Sequence, residues 1–187
     1  QIQKNIFLGY KSLNKSNNTF YKDIVSVESS SNILIDLDLN LIKKKYWKPK
    51  LNIDQNMKID DAIDGVKNNL IKSLELRMRS DVPIAFCLSG GVDSSLLASH
   101  AKKTLNKKIS TFSIIDKDPR YDESENIKYI IDDLRCNHEL IKINNDENSF
   151  LDRLKVLTNY HDGPIATLSY YVHSFLSENI SKKNYKV

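Results

Sequence analysis

The stretch Pro-Ile-Ala-Phe-Cys-Leu-Ser-Gly-Gly-Val-Asp-Ser-Ser, residues 83–95, constrains this chain more than any other. Its first six residues form a short, continuous apolar run of the kind that a parallel sheet buries on both faces, and helical spacing resumes over 94–103. The order is strand, tight loop, helix, which places the loop at the carboxyl end of a strand. Gly90 and Gly91 carry no Cβ, so the backbone can take positive φ and approach a ligand, while the first amides of the next helix lack intrahelical acceptors. Those amides, the helix dipole and the hydroxyls of Ser89, Ser94 and Ser95 together favour a phosphate or pyrophosphate. Asp93 fits beside an anion if a divalent cation lies between them, since Mg²⁺ takes carboxylate and phosphate oxygens together. The plain alternative is a strand-to-helix turn capped by Asp93 and Ser94. The complete string directly after a buried-type strand favours the anion cradle. It is not a Walker loop, because no Gly-Lys-Ser/Thr follows the glycines.

Composition narrows the class. With 187 residues, of which 40% are hydrophobic, the chain can bury a core and is not of the disordered type. The formal charge of +4 is spread among interleaved acidic residues, which argues against nucleic acid as a partner. Lys43, Lys44 and Lys45 before Tyr46 and Trp47 form one short basic and aromatic run, read as a solvated strand end and linker in preference to a nucleic-acid patch. Two cysteines, Cys87 and Cys136, fit neither a disulfide scaffold nor a Cys-x-x-Cys metal site, and a reducing cytoplasm suits them. Cys87 is expected to pack as a small hydrophobe. His100, His138, His161 and His173 share no ligand spacing and are read as structural or surface residues. No apolar run reaches membrane-spanning length, so no membrane partner is expected.

Along the chain, alternating runs at 6–10, 23–27 and 33–39 read as antiparallel strands. From Ile59 the period changes: Ile59, Ile63, Val66, Leu70, Leu74 and Met78 predict an amphipathic helix with acids early and bases late, ending near Ser80 before the strand at 83–88. Strands at 108–115 and 138–143 alternate with helices at 94–103 and 124–135, followed by helices at 148–160 and 168–177 and a new strand at 185–187. Such alternation implies a parallel α/β sheet with ligands at the carboxyl ends of its strands, so the loops after Leu88 and Ile114 can share one nucleotide.

The Ser-Gly-Gly-Val-Asp-Ser-Ser string resembles the pyrophosphate-binding loop of ATP pyrophosphatases that activate substrates by adenylation. Three further stretches sharpen this: Arg-Ser-Asp-Val-Pro at 79–83, Thr-Phe-Ser-Ile at 111–114 and Asp-Pro-Arg-Tyr-Asp-Glu-Ser at 118–124. Together they resemble the synthetase domain of glutamine-dependent asparagine synthetases. Upstream, Phe-Leu-Gly-Tyr at 7–10, Thr-Phe-Tyr-Lys-Asp-Ile at 19–24 and Lys-Tyr-Trp at 45–47 resemble the last strands of that family's glutaminase domain and its linker. The fold implied is a parallel sheet with flanking helices, Rossmann-like and of the adenine nucleotide alpha hydrolase type, preceded by a β-rich remnant of an N-terminal nucleophile glutaminase. The expected division is 1–50 for the remnant and linker and 51–187 for the synthetase part.

The resemblance implies ATP and Mg²⁺ as cofactors. It assigns Ser89, Gly90, Gly91, Asp93, Ser94 and Ser95 to the pyrophosphate loop, with Asp93 as Mg²⁺ ligand and Asp93 and Ser89 as catalytic groups. The backbones of Leu88 and Ile114 would hold adenosine, and residues 121–124 either approach the site or serve as a capping box. The implied substrates are aspartate, ATP and glutamine-derived ammonia, and a homodimer of the parent is left open. Three departures qualify this. The chain begins inside the glutaminase-like part, without that domain's catalytic cysteine, and stops before the family's second acidic loop. It is therefore expected to turn over neither glutamine nor aspartate efficiently, and to be soft or self-associating at its unpartnered strand edges. Asp-Gly-Pro at 162–164 stands where the family usually shows Asp-Glu-Pro, which leaves the acceptor acid open. Alternatives are a related sugar or antibiotic amidotransferase and a nucleotide-binding fragment without turnover. A tRNA thiolation enzyme would need catalytic cysteines and a broad basic face, and neither is evident.

Overall fold

The computed structural model describes residues 1–115, 122–143, 147–161 and 163–186. They fall into two units, Gln1–Asn56 with Thr158–Ala166 and Met57–Leu157 with Thr167–Val187.

The first unit departs most from the sequence reading. Residues 6–10 are not a strand: α1 spans Ile2–Leu8 and a 3₁₀ turn spans Tyr10–Lys15. Alternation over five residues fits a helical period as readily as a strand, and Ile2 and Ile6 stand one helical turn apart. Residues 23–27 contribute only an isolated bridge from Val25 to Asn18. The run at 33–39 is interrupted: β1 (Ser31–Ile35) turns and pairs antiparallel with β2 (Leu41–Lys45), Ser31 opposite Lys45 and Ile35 opposite Leu41. Asp36 makes the turn. Its Oδ1 accepts the amides of Asp38 at 3.0 Å and Asn40 at 2.8 Å, local bonds that compete successfully with strand extension. The basic run at the end of β2 is partly neutralised, since Lys43 and Lys45 both pair with Glu28. In the same unit the Phe20 ring stands so close to Gly163 that a Cβ there would lie 2.8 Å from it. Asp162 lies outside the described residues.

The second unit is the α/β part. Helix α2 (Ile59–Arg77) ends three residues earlier than Ser80, and only its second half buries its stripe. Leu74 is buried and Met78 packs against the core, whereas Ile59, Ile63 and Val66 are exposed. Strands β3 (Ala85–Cys87), β4 (Ser110–Ile115) and β5 (Asn137–Lys142) form a parallel sheet in that order. Cys87 lies opposite Phe112, and Ile114 opposite Ile141. The expectation that residues 83–88 are buried on both faces holds only in part, because β3 has three residues and, among the described residues, pairs with β4 alone. Cys87 is exposed rather than packed. Desolvation by neighbouring groups pushes its thiol pKa up, the opposite of an activated cysteine.

Helix α3 (Val92–Ser99) runs into a π turn over His100–Thr104, with Leu105 N–H donating to the His100 carbonyl at 2.9 Å. Helix α4 (Ser124–Leu134) ends on Arg135 in the left-handed conformation. Leu74, Leu88, Ala98, Ala101, Ile109, Ile127 and Leu134 make one buried cluster beneath the loop. Residues 185–186 form no strand. Tyr185 instead stacks edge-on against Phe112 at 5.4 Å and its hydroxyl donates to Ser110 Oγ at 2.8 Å. Residues 116–121 and Val187 lie outside the described residues.

Helices α5 (Glu147–Tyr160) and α6 (Ser169–Lys182) are joined through Arg153. Its guanidinium donates to Ser174 Oγ at 3.1 Å and Glu178 Oε2 at 2.7 Å, and its carbon lies 3.8 Å from the Phe175 ring centroid. Lys182 first, and then Arg153, hold the Glu178 carboxyl below its ordinary pKa. Replacement Arg153→Leu removes the cation–π contact and two hydrogen bonds. Glu178 is more than a third exposed, so its share is discounted for solvent, and a loss of about 1 kcal/mol is expected. That corresponds to a melting point lower by roughly 2–4 °C. A depressed carboxyl contributes stability above its unfolded pKa and loses it as pH falls through the folded value. The gap between the two melting curves should therefore narrow in acid by the Glu178 share, leaving the contacts to Ser174 and Phe175, which thermal unfolding at several pH values would measure.

Candidate functional site

At the end of β3 the chain leaves the sheet at Leu88, which is 2% exposed and tied on both sides of its peptide unit. Its N–H donates to the Phe112 carbonyl at 2.8 Å, and its carbonyl accepts the hydroxyl of Ser113, a side chain 1% exposed. Gly90 then takes φ of +82°, whereas Gly91 sits at φ −75° and ψ 161°. Only Gly90 uses the conformational freedom expected of both glycines. An additional constraint also falls on Gly90: a Cβ there would lie 3.0 Å from Glu123 Cβ, 3.2 Å from the Glu123 carbonyl oxygen and 3.3 Å from Asn126 Cβ. The amino end of α4 is thus the wall behind the loop.

Gly91 is the N-cap of α3, in place of Asp93 or Ser94. The amides of Val92, Asp93 and Ser94, in the first turn, have no acceptor within the helix. The loop hydroxyls close on their own backbone: Ser95 Oγ donates to the Gly91 carbonyl at 2.6 Å and Ser94 Oγ to the same oxygen at 3.2 Å. Ser94 Oγ also accepts the Ser89 amide at 3.2 Å and lies 3.1 Å from Ser89 Oγ, which accepts the Gly91 amide at 3.3 Å. The structure therefore brings Ser89, Gly91, Ser94 and Ser95 into one network. Ser94 and Ser95 hold the loop's shape, and the helix-opening amides remain the groups open to an anion.

Asp93 lies in the first turn of α3, exposed, and its carboxylate has no protein partner among the described residues. Among those residues no three His, Cys, Asp or Glu side chains gather as a metal site. One free carboxylate beside open amides does fit a cation shared with phosphate, because Mg²⁺ takes one or two protein carboxylates and completes its shell with phosphate and water. Of residues 121–124, Asp122 Oδ1 accepts the Ser124 amide at 2.9 Å, a local turn instead of a capping box, and Tyr121 is outside the described residues. His138 is structural, as read: its Nδ1 meets Thr111 Oγ1 at 2.9 Å, and burial lowers its pKa.

Ile114 lies on β4 two residues beyond Phe112. Peptide groups alternate in direction along a strand, so Ile114, like Phe112, directs its N–H and C=O toward β3, past the point where β3 ends. Glu123 does stand against the loop, as one reading of residues 121–124 has it, whereas Ser113 and Asn126 were not singled out from the sequence. A hydroxyl inside the apolar run 111–115 is the signal that could have found Ser113.

Gly90→Ala places a Cβ in left-handed backbone against the Glu123 carbonyl, at a cost of roughly 2 kcal/mol or more. The melting point should drop by about 4–8 °C. Gly65→Ala, inside α2 with nothing within 4 Å of the new Cβ, should raise it slightly. Paired thermal melts of the two variants check this.

The chain is similar to several known proteins. A putative glutamine-hydrolysing asparagine synthetase 2 of Methanocaldococcus jannaschii is 32% identical over 121 residues, 64% of this chain and 23% of its own length. Asparagine synthetase 1 (glutamine-hydrolysing) of Bacillus subtilis is 34% identical over 91 residues, 49% of this chain and 14% of its own. The amidase chry2 of Gibberella zeae is 25% identical over 185 residues, 90% of this chain and 27% of its own. The matched regions thus span about a quarter or less of these relatives. Among solved structures, the NH3-dependent NAD synthetase of Campylobacter jejuni aligns with 65% of this chain and 53% of its own at 17% identity and a TM-score of 0.42. Residues 65–187, two thirds of the chain and the whole of the loop-bearing sheet, match the asparagine synthase family, and the chain belongs to that family.

Proposed function

We propose that this chain is the nucleotide-binding part of an ATP-dependent amidating enzyme whose acceptor is aspartate. Residues 1–50 would belong to the end of a glutaminase-type domain and its linker, and 51–187 to the synthetase domain. The observation that carries the reading is the loop at 89–95: open amides at the carboxyl end of a parallel strand, with no lysine to engage a γ-phosphate.

In the first step a side-chain carboxylate oxygen of aspartate attacks the α-phosphorus of ATP. The new O–P bond gives β-aspartyl-AMP, and the bond to the β-phosphate breaks to release pyrophosphate. In the second, ammonia released from glutamine in the parent protein attacks the acyl carbon and AMP leaves, giving asparagine. The amides of Val92, Asp93 and Ser94 bind the departing pyrophosphate, the Ser89 hydroxyl adds a donor beside them, and Asp93 holds the cation. Mg²⁺, when bound there, supplies neutralisation of phosphate charge. The backbone of Ile114 and the carbonyl of Leu88 would receive adenosine. Little covalent work falls to side chains, and the chain's contribution is position and charge.

A second reading, amidation of a different carboxylate, draws on the amidase match over 90% of the chain. It draws also on Gly163, where the Phe20 ring occupies the space of a side chain. Isotope-labelled ATP separates the possibilities in the protein that carries this chain. The expected products are AMP and pyrophosphate, with acid-dependent pyrophosphate exchange strongest for aspartate. ADP and orthophosphate would refute adenylation, and exchange driven by another acid would select the second reading. Asp93→Asn keeps the loop's hydrogen bonds and loses the charge that draws the cation. Exchange should fall by about 10²-fold with an almost unchanged melting point.

A further inference from the structure

We propose that the cavity at the amino end of β4 and β5 is a binding site for a small free α-amino acid, held by its ammonium and its carboxylate together. The cavity measures about 280 Å³, and Ser110, Phe112, His138, Glu139, Lys183 and Tyr185 are among the residues that line it. All of them belong to the second unit. Ser110 is the first residue of β4 and Ile114 the fifth, so four strand steps, roughly 13 Å, separate the cavity from the end of β4 beside the phosphate loop. A ligand of this size cannot reach both.

Charge selects the ligand class. Lys183 Nζ lies 3.1 Å from Glu139 Oε2, with the two side chains 56% and 34% exposed. An ion pair this open to water contributes little to the fold, so a ligand that offers each member a new counter-charge can part them at small cost. His138 adds no third charge. The Thr111 hydroxyl donates to the Asn137 carbonyl at 3.2 Å and accepts His138 Nδ1–H at 2.9 Å, which leaves Nε2 without a proton. Nε2 is buried with no hydrogen-bond partner among the described residues, so protonating it would strand a buried N–H, and burial accordingly holds the imidazole pKa down. A lone anion or a lone cation satisfies one member of the Glu139–Lys183 pair and strips the other of its partner. A zwitterion satisfies both.

The neutral groups suit the rest of such a ligand. Tyr185 Oη donates to Ser110 Oγ at 2.8 Å, and the Ser110 proton, unengaged among the described residues, can meet a carboxylate. The Phe112 and Tyr185 rings, edge-on at 5.4 Å, give an apolar wall for a side chain. The volume stands at the lower end of small-molecule pockets, about 300–1,000 Å³, which limits the ligand to a small one.

The test titrates the full chain with L-alanine, acetate and methylammonium and follows backbone amide NMR shifts. L-Alanine should saturate in the millimolar range with shifts centred on Ser110, Glu139 and Lys183, and each half-ligand should bind about tenfold more weakly. Glu139→Gln and Lys183→Gln should each weaken L-alanine roughly tenfold, with melting points close to that of the unmodified chain. Absence of saturable shifts at these residues in the unmodified chain would overturn the proposal, and that measurement needs no variant. Acetate binding as tightly as L-alanine would reduce the site to a plain anion contact at Lys183 and overturn it too, as would an unchanged affinity in Glu139→Gln. Inorganic pyrophosphate should not displace L-alanine. Displacement would place the amino acid at the phosphate loop instead of this cavity, against the proposal.

Discussion

The tie between Leu88 and β4 is the constraint on which the rest of the site depends. A three-residue edge strand has little ladder of its own, yet it must deliver a loop of fixed shape. Both polar groups of the Leu88 peptide are engaged, one by the Phe112 carbonyl and one by the Ser113 hydroxyl, while its side chain lies in the core. The turn at Gly90 begins two residues later, so its direction is inherited from this anchor. The loop then closes against α4 on one side and on its own serine hydroxyls on the other. Within the loop, the amides without an acceptor in the helix are those of the first turn of α3, with Asp93 beside them.

The sheet and its helices were legible in the sequence because their signals are long and independent. Over residues 59–143, apolar positions change period each time the chain changes element, and Pro83 and the glycines punctuate the changes. Bounds shifted by a few residues, as for α2 ending at Arg77, because the last turn is decided by packing rather than by composition. The first unit was read less well for the same reason inverted. Its apolar runs are five to seven residues long, and at that length helix and strand periods coincide, so residues 2–8 could be a helix and Asp36 could cut a strand in two.

The loop at 89–95 can be picked out from the sequence as one stretch, whereas the contacts each of its residues makes cannot. Ser89, Gly90, Gly91, Asp93, Ser94 and Ser95 are neighbours in sequence, so naming one names all. The division of labour among them follows from three-dimensional partners: Gly90 carries the positive φ, Gly91 caps, and Ser94 and Ser95 bond inward. No linear pattern shows that Glu123 and Asn126, more than thirty residues away, stand where a Cβ on Gly90 would be. Cys87 was misjudged because an edge strand presents to solvent what a central strand would bury.

Ala98 and Ala101, both fully buried, are the smallest side chains in the cluster beneath the loop. Their methyl groups, Ala98 in α3 and Ala101 in the π turn that continues it, take up less room in the core than leucines would. They act as a gauge that sets how deeply the helix sits, and hence the height of its opening amides above the sheet. A larger side chain at either place would lift the helix like a shim under a rail. The opening amides of α3 would then be displaced by a change at a buried position in the core.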